Sequence, residues 1–262
     1  MKKTILSHLP GDFPWQVHWF STIDSTNTRA KRMAQEGSPH GTVLIAGHQT
    51  GGRGRLGRSF SSPAGAGLYL SVILRPNCKA TALMHLTCAA GIAACDAVQQ
   101  CCGIRPGIKW INDLIIDNRK LGGILTELSV NPKTGLVDYA VIGIGINCFQ
   151  SPGEFPPELQ NIAISLKAAG AEPEISQLAA AMILSLYEMS HHLSHRNTIM
   201  SAYRRNCVTL GRDVVIIQDE ETINATALDV NEDGALIVRL TDGAVKTIHS
   251  GEVSVRGLNG YL

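Results

Sequence analysis

Short apolar runs bounded by glycine or proline alternate with stretches of helical spacing along the chain, and their order predicts the fold class. Trp15–Phe20 and Thr42–His48 are apolar runs of strand length. Between them, Ser25-Thr26-Asn27 offers hydroxyl and amide caps for a helix running to about Gly37. Leu68–Leu74 predicts a third strand, and Ala80–Cys102, small or apolar nearly all round, predicts a buried helix. Strands are expected at Ile104–Trp110, Leu114–Ile116, Gly122–Val130 and Val137–Ile146. Helices follow at about Ile162–Ala169 and Ile175–His195, with a shorter one to about Asn206.

Beyond Gly211 the texture changes. Val214–Gln218, Thr222–Val230, Ala235–Leu240 and Val245–His249 are short apolar runs. They are separated by Asp219-Glu220, Asn231–Gly234 and the hairpin dipeptide Asp242-Gly243. The pattern predicts an α/β domain with a mixed sheet over residues 1–208 and a small C-terminal β-barrel over 209–262. No repeat or low-complexity segment interrupts it.

Composition narrows the classes. At 44% hydrophobic and 17% charged residues, the bulk of the chain can bury a core and is not disordered. Lysine and arginine total 23 against 22 acids, and the net charge of +1 gives no overall field for nucleic acid, so any basic site must be local. No apolar run reaches the ~18 residues of a membrane span, and the first 14 residues lack the apolar core of a secretion signal. A cytoplasmic protein is expected. The seven cysteines (78, 88, 95, 101, 102, 148 and 207) form no C-x-x-C pair and read as reduced, buried thiols.

Candidate chemistry concentrates in three segments. Gln49-Thr-Gly-Gly-Arg53-Gly-Arg55-Leu-Gly-Arg58 alternates glycines with arginines directly after a strand. Glycine lets backbone approach a ligand, and arginine offers a fixed fork of donors to phosphate or carboxylate. From Gly37 to Cys95 there is no aspartate or glutamate, so no nearby carboxylate in the sequence competes for these arginines. A loop so composed is expected to be open when empty and to order over an anion. Gly52–Gly57 also fits G-x-G-x-x-G, but no helix start follows and no acid appears until Asp96, which excludes a dinucleotide fold. The second segment is Lys109-Trp110-Ile111-Asn112-Asp113 followed by Arg119-Lys120-Leu-Gly-Gly. It reads either as an ordinary hairpin or as a device placing fixed positive charge beside an oxyanion, with Asp113 holding a lysine or Mg²⁺. In the third, Ile142-Gly143-Ile144-Gly145-Ile146-Asn147, glycines thin one face of a strand where a ligand packs closely. His191, His192 and His195 have metal-ligand spacing on a helix but read as a solvated helix end. His48 borders the arginine loop and is a further pocket candidate.

Together these segments resemble the biotin protein ligase family. Ser25-Thr26-Asn27, Ser62-Pro63, Gly67-Leu68-Tyr69-Leu70-Ser71 and Gly251-Glu252-Val253-Ser254-Val255-Arg256 add to the match. It is strong over roughly residues 20–150 and weaker over the C-terminal barrel, which the resemblance makes SH3-like. It implies Lys120, Arg53 and Arg55 as the catalytic groups. It places biotin against Ser25, Thr26, Asn27, Gln49, Gly52, Arg53, Gly54, Arg55, Lys120, Gly123, Gly143 and Gly145. It places the nucleotide against Arg55, Arg58, Phe60, Lys109, Asn112, Asp113, Asn147 and Arg256. Two positions depart from the family pattern: Ile111 stands where proline is usual, and Phe60 stands where tryptophan is usual.

The resemblance implies Mg²⁺-dependent use of ATP to activate biotin and transfer to a lysine of a biotin carboxyl carrier domain. No protein ligand for the metal is assigned beyond Asp113. Only about 20 residues precede Ser25, too few for a helix-turn-helix, so the short form without DNA binding is expected, acting as a monomer or weak homodimer away from membranes. Two rivals remain. One is a lipoate or octanoate ligase or transferase on the same fold; the other is a nucleic-acid-binding module built on the barrel and the arginine loop.

Overall fold

The computed structural model describes residues 1–218, 221–249 and 253–257. Seven strands form one sheet in the order β1-β2-β3-β7-β6-β5-β4. These are β1 (Gln16–Phe20), β2 (Thr42–Ala46), β3 (Gly67–Leu74), β4 (Gly107–Lys109), β5 (Asp113–Ile116), β6 (Arg119–Val130) and β7 (Val137–Asn147). Only β1 and β2 pair in parallel, joined through helix α2 (Thr26–Gln35), and the remaining neighbours are antiparallel. This is the mixed α/β sheet that the pattern predicts.

The pleat sorts side chains onto two faces. Leu68, Leu70, Val72 and Leu74 of β3 and Ala140, Ile142, Ile144 and Ile146 of β7 join the main core. That core also takes in α3 (Leu86–Cys102), α4 (Ile175–His191) and α5 (Arg196–Asn206). On the opposite face, Ala30 and Ala34 of α2 pack with Leu44, Ile73, Tyr139 and Val141 in a smaller cluster. Residues 71, 143 and 145 belong to this second face. There the sheet carries a hydroxyl and two hydrogens in place of apolar side chains, which leaves a hollow beside the N-terminus of α2.

A second sheet runs β11-β10-β9-β8-β12, entirely antiparallel. Its strands are β8 (Asp213–Gln218), β9 (Glu221–Val230), β10 (Leu236–Leu240), β11 (Val245–Ile248) and β12 (Val253–Gly257). It docks on the first unit: the Trp110 indole donates to Gly234 O at 2.9 Å, and Arg204 of α5 donates to Val230 O at 2.7 Å and Glu232 at 2.7 Å.

Several expectations change. Ile162–Ala169 is not a helix. Lys120 N donates to Ile162 O at 2.6 Å and Ile164 N donates to Lys120 O at 2.9 Å, so the segment is held as an extended bridge along β6 before turning at Leu166–Gly170. The strand expected at Ile104–Trp110 shrinks to β4, because Gly103 closes α3 in the left-handed conformation and Pro106 has no N–H to give a ladder. Ala80–Cys102 divides into a 3₁₀ turn at Ala80–Leu83 and α3. The helix from Ile175 stops at His191, and a short helix α1 (Lys2–Leu6) stands ahead of β1 where none was expected. The turn at Asp219-Glu220 lies outside the described residues.

Candidate active site

A cavity of about 570 Å³ opens on the α2 face of the main sheet. Its floor follows from the register. Gly143 lies between Ser71 and Leu125, and Gly145 between Tyr69 and Gly123, so the sheet is thinnest where β3, β7 and β6 meet. Both glycines are needed there. A Cβ on Gly143 would overlap the Asn27 amide oxygen, and one on Gly145 would come within 2.5 Å of the Phe60 ring.

Beside the N-terminus of α2 the cavity is lined by neutral polar groups, with the Glu127 carboxylate behind them. Ser25 caps α2, accepting from Thr28 N, and this places Thr26 and Asn27 at the first turn. Gln49 Oε1 accepts from Thr26 N at 2.8 Å and from Thr26 Oγ1 at 3.0 Å, while Gln49 Nε2 donates to Ser62 Oγ at 2.9 Å. Ser71 Oγ lies 2.8 Å from Thr26 Oγ1 and 2.6 Å from Asn27 Oδ1. Asn27 Nδ2 donates to Leu125 O at 3.2 Å and to Glu127 Oε2 at 3.1 Å. A continuous chain of hydrogen bonds thus fixes the orientation of every amide and hydroxyl at this end.

Over β5 and β6 the cavity becomes ionic. Lys120 Nζ lies 2.7 Å from Asp113 Oδ1. Arg55 donates to Asn112 Oδ1 at 2.9 Å, and Asn112 Nδ2 donates back to Ile124 O at 3.0 Å, which braces the turn between β4 and β5. Burial lowers the pKa of the Arg55 guanidinium, a shift that Asp113 opposes and Arg58 reinforces. Lys109 and Trp110 form part of the same wall, and the Trp110–Ile111 peptide, at the first position that departs from the resembling family, is cis.

The arginine loop is folded across the cavity. Gly54 N donates to Arg58 O at 2.7 Å, Phe60 N to Gly52 O at 2.9 Å and Gly51 N to Asp24 O at 2.8 Å, and a 3₁₀ turn spans Arg55–Gly57. Arg53 reaches Glu127 at 3.4 Å. One expectation is therefore corrected: a carboxylate does compete for an arginine, supplied from β6 rather than from the loop's own neighbourhood.

Of the candidate residues, Ser25, Thr26, Asn27, Gln49, Arg53, Gly54, Arg55, Arg58, Phe60, Lys109, Asn112, Asp113, Lys120, Gly123, Gly143 and Gly145 all line this one cavity. Gly52 and Asn147 do not. Gly52 packs beneath the loop, where a Cβ would overlap Phe60 O, and buried Asn147 donates to Ile164 O at 3.2 Å, holding the extended segment in place. His48 is absent from the lining. The side chain of Arg256, in β12, lies outside the described residues. Asp113, one candidate for Mg²⁺, holds Lys120, and among the described residues no group of three or more His, Cys, Asp or Glu side chains could hold a metal. His191 and His192 instead face the carbonyls of Tyr187 and Glu188.

Leu56, Ser59, Trp110, Ile124, Leu125, Ile144, Leu159 and Ile162 also line the cavity, and Glu127 and Ser71 bind its polar groups from behind. Glu127 carried a signal. It is the one acid in β6 and shares the period-2 face of Gly123 and Leu125. The thiols are chemically quiet: burial pushes Cys95 and Cys148 up to about 12.

The family model described as the Biotin/lipoate A/B protein ligase family matches residues 19–147, and that described as the Biotin protein ligase C terminal domain matches residues 209–256. The bifunctional ligase/repressor BirA of Bacillus subtilis is 32% identical over 240 residues, covering 90% of this chain and 73% of the relative. The biotin–[acetyl-CoA-carboxylase] ligase of Mycobacterium tuberculosis is 31% identical over 91% of this chain and 88% of its own length. The chain belongs to the biotin protein ligase family. Its structure is similar to that of the Aquifex aeolicus biotin protein ligase solved with biotin and ATP, with a TM-score of 0.78 and 28% identity, covering 94% of this chain and all of that one. The two ends of the cavity in this ligase, one neutral and hydrogen-bonding and one ionic, therefore sit on a sheet shared across the family.

Proposed function

We propose that this chain is an ATP-dependent biotin ligase that makes biotinyl-5′-AMP and passes the biotinyl group to a lysine of a biotin carboxyl carrier domain, that of acetyl-CoA carboxylase being the acceptor class. The observation that carries this reading is the division of a single cavity. Gln49, Thr26 and Asn27 form a neutral, rigidly oriented end beside the N-terminus of α2, backed by Ser71, while Lys120 and Arg55 gather at β5 and β6 with Arg58 near Arg55. A neutral cyclic urea joined through an aliphatic chain to a carboxylate matches that division; a dithiolane, with no strong hydrogen-bonding groups, does not. The lipoate reading is therefore disfavoured.

In the first half-reaction a biotin carboxylate oxygen attacks the α-phosphorus of ATP, and the bond to pyrophosphate breaks. In the second, a lysine amine attacks the acyl carbon, the bond to the phosphate oxygen breaks, AMP departs and the amine proton leaves to water. Both steps need anions brought together, so catalysis here is positioning and charge neutralisation without a covalent enzyme intermediate. Lys120 sits beside the carboxylate and α-phosphate, Arg53 and Arg55 hold the loop and the anions, and Arg58, Phe60, Lys109, Asn112 and Arg256 serve the nucleotide. Mg²⁺ enters with the phosphates as part of the substrate, since Asp113 is committed to Lys120. Closure of the loop shields the mixed anhydride from water.

The net charge of +1 leaves this chain without the field that DNA binding draws on. Biotin-dependent pyrophosphate–ATP exchange, with lipoate as the control, tests the whole reading. Exchange with biotin and none with lipoate is expected; the reverse selects the rival on the same fold.

A further inference from the structure

One carboxylate outside the cavity lining touches three elements that build the cavity. Glu127, half-buried on β6, shares Oε1 between Lys31 Nζ at 2.7 Å and Arg53 at 3.4 Å. Its Oε2 accepts from Asn27 Nδ2 at 3.1 Å. Asn27 and Lys31 are one turn apart on α2, and Arg53 belongs to the loop folded over the cavity mouth. The Asn27 amide in turn receives Ser71 on its oxygen and stands against Gly143 on the cavity floor. Helix, floor and loop are therefore joined through two oxygens of a single side chain.

We infer that Glu127 is a positioning residue: it fixes the Asn27 amide at the neutral end of the cavity and, through the same carboxylate, ties the arginine loop down over the ligand. The inference rests on the reading of the cavity as a biotin and nucleotide site. Both oxygens are used, so the geometry makes a demand that a neutral isostere cannot meet. Glutamine keeps one acceptor, which can serve Asn27 or the Lys31–Arg53 pair but not both, and its amide nitrogen presents a donor to groups that are themselves donors. Lys31 keeps a positive charge beside the carboxylate whether or not the loop is down, so Arg53 can leave without stranding an unpaired anion. That is the arrangement wanted in a latch that must open to admit substrate.

The test is Glu127→Gln in the full chain, with two readouts. Release of preformed biotinyl-5′-AMP should be about tenfold faster, the value of one charge-assisted hydrogen bond. Trypsin should cut after Arg53 and Arg55 about threefold faster even without ligands, since the exposed ion pair alone is a modest tie. In an Arg53→Met background the same Glu127→Gln change should no longer alter cleavage after Arg55, because the latch has already lost its other half. The part of its effect on adenylate release that acts through Asn27 should remain. Glu127→Asp, which keeps the charge but withdraws it by one methylene, serves if the glutamine variant does not fold, and the same increases are expected. Unchanged adenylate release and loop cleavage, or a loop-cleavage effect that simply adds to that of Arg53→Met, overturn the inference. A wild-type protein that forms no adenylate would instead fail the functional reading, while loop cleavage would still report on the latch.

Discussion

At the residue scale, Lys120 carries the largest share of the proposed chemistry. Its ammonium is held 2.7 Å from Asp113, on a strand whose register also places Gly123 opposite Asp113. The carboxylate fixes where the charge sits; the charge itself must still be large enough to draw two anions together. Lys120→Ala removes it and should lower biotin-dependent pyrophosphate–ATP exchange about 100-fold or more, the scale of losing one preorganised charged donor in a dry site. The side chain is partly exposed, so the melting temperature should stay within a few degrees of wild type. Exchange within about threefold of wild type would remove Lys120 from the mechanism. This residue was legible in the sequence because lysine, two glycines and a turn-forming Asn-Asp all lie within a dozen positions. Ser71 and Glu127 were not singled out for chemistry, since what makes them matter is the amide of Asn27, 44 and 100 residues away.

At the scale of elements, distance along the chain separates what was legible from what was not. The strands β1 to β3, the helix opened by Ser25 and the glycine-thinned strand β7 follow from local patterning, and their pairing places the cavity floor. The arginine loop and Ile162–Ala169 did not follow. Arg53 and Arg55 find their partners 74 and 57 residues away, so a local reading saw only like charges and flexible glycines. The segment after Asn161 gives its backbone bonds to Lys120, about 40 positions earlier, and that prevents the helix its composition suggests.

The latch also has a definite pH dependence. Burial alone would raise the Glu127 pKa, but hydrogen bonds from Lys31 and Asn27 and the charges of Lys31 and Arg53 outweigh it and leave it below the usual carboxylate range. A lowered native pKa contributes stability that is present above the unfolded value, about 4.3, and is lost as pH falls through the native one. Only the share of that shift owed to Arg53 couples to the loop, since Lys31 stays beside the carboxylate. Hydrogen-exchange protection of the loop amides, Gly54 among them, should therefore hold from neutral pH down to about 4.3 and fall modestly below that. In Glu127→Gln the step should be absent. Protection that falls at the same pH in both proteins would assign the transition to another group.

At the scale of the whole molecule, the wall of the cavity is also the seam between its two sheets. Trp110 lines the cavity, while its indole donates to Gly234 O in the turn between β9 and β10 and its backbone N donates to Thr209 Oγ1 at 2.8 Å. Next to it, Ile111 O accepts from the buried Tyr203 hydroxyl at 3.2 Å. The ionic end of the site is therefore positioned from behind by the C-terminal unit, and loosening that contact should be felt in nucleotide binding before it is felt in biotin binding. Trp110→Phe keeps an aromatic wall but leaves the Gly234 carbonyl without its buried donor, at a cost of about 1 to 3 kcal/mol. The melting temperature should fall by roughly 2 to 10 °C on the usual scaling for domains of this size range. The KM for ATP should rise several-fold while the affinity for biotin alone changes little, because Gln49, Thr26 and Asn27 are held by their own hydrogen bonds beside α2 and not by Trp110. Calorimetry and separate titrations with biotin and ATP read these effects independently. Equal weakening of both ligands would mean that Trp110 supports the cavity as a whole; stability lost with neither affinity altered would mean that the seam holds the two units together without shaping the site.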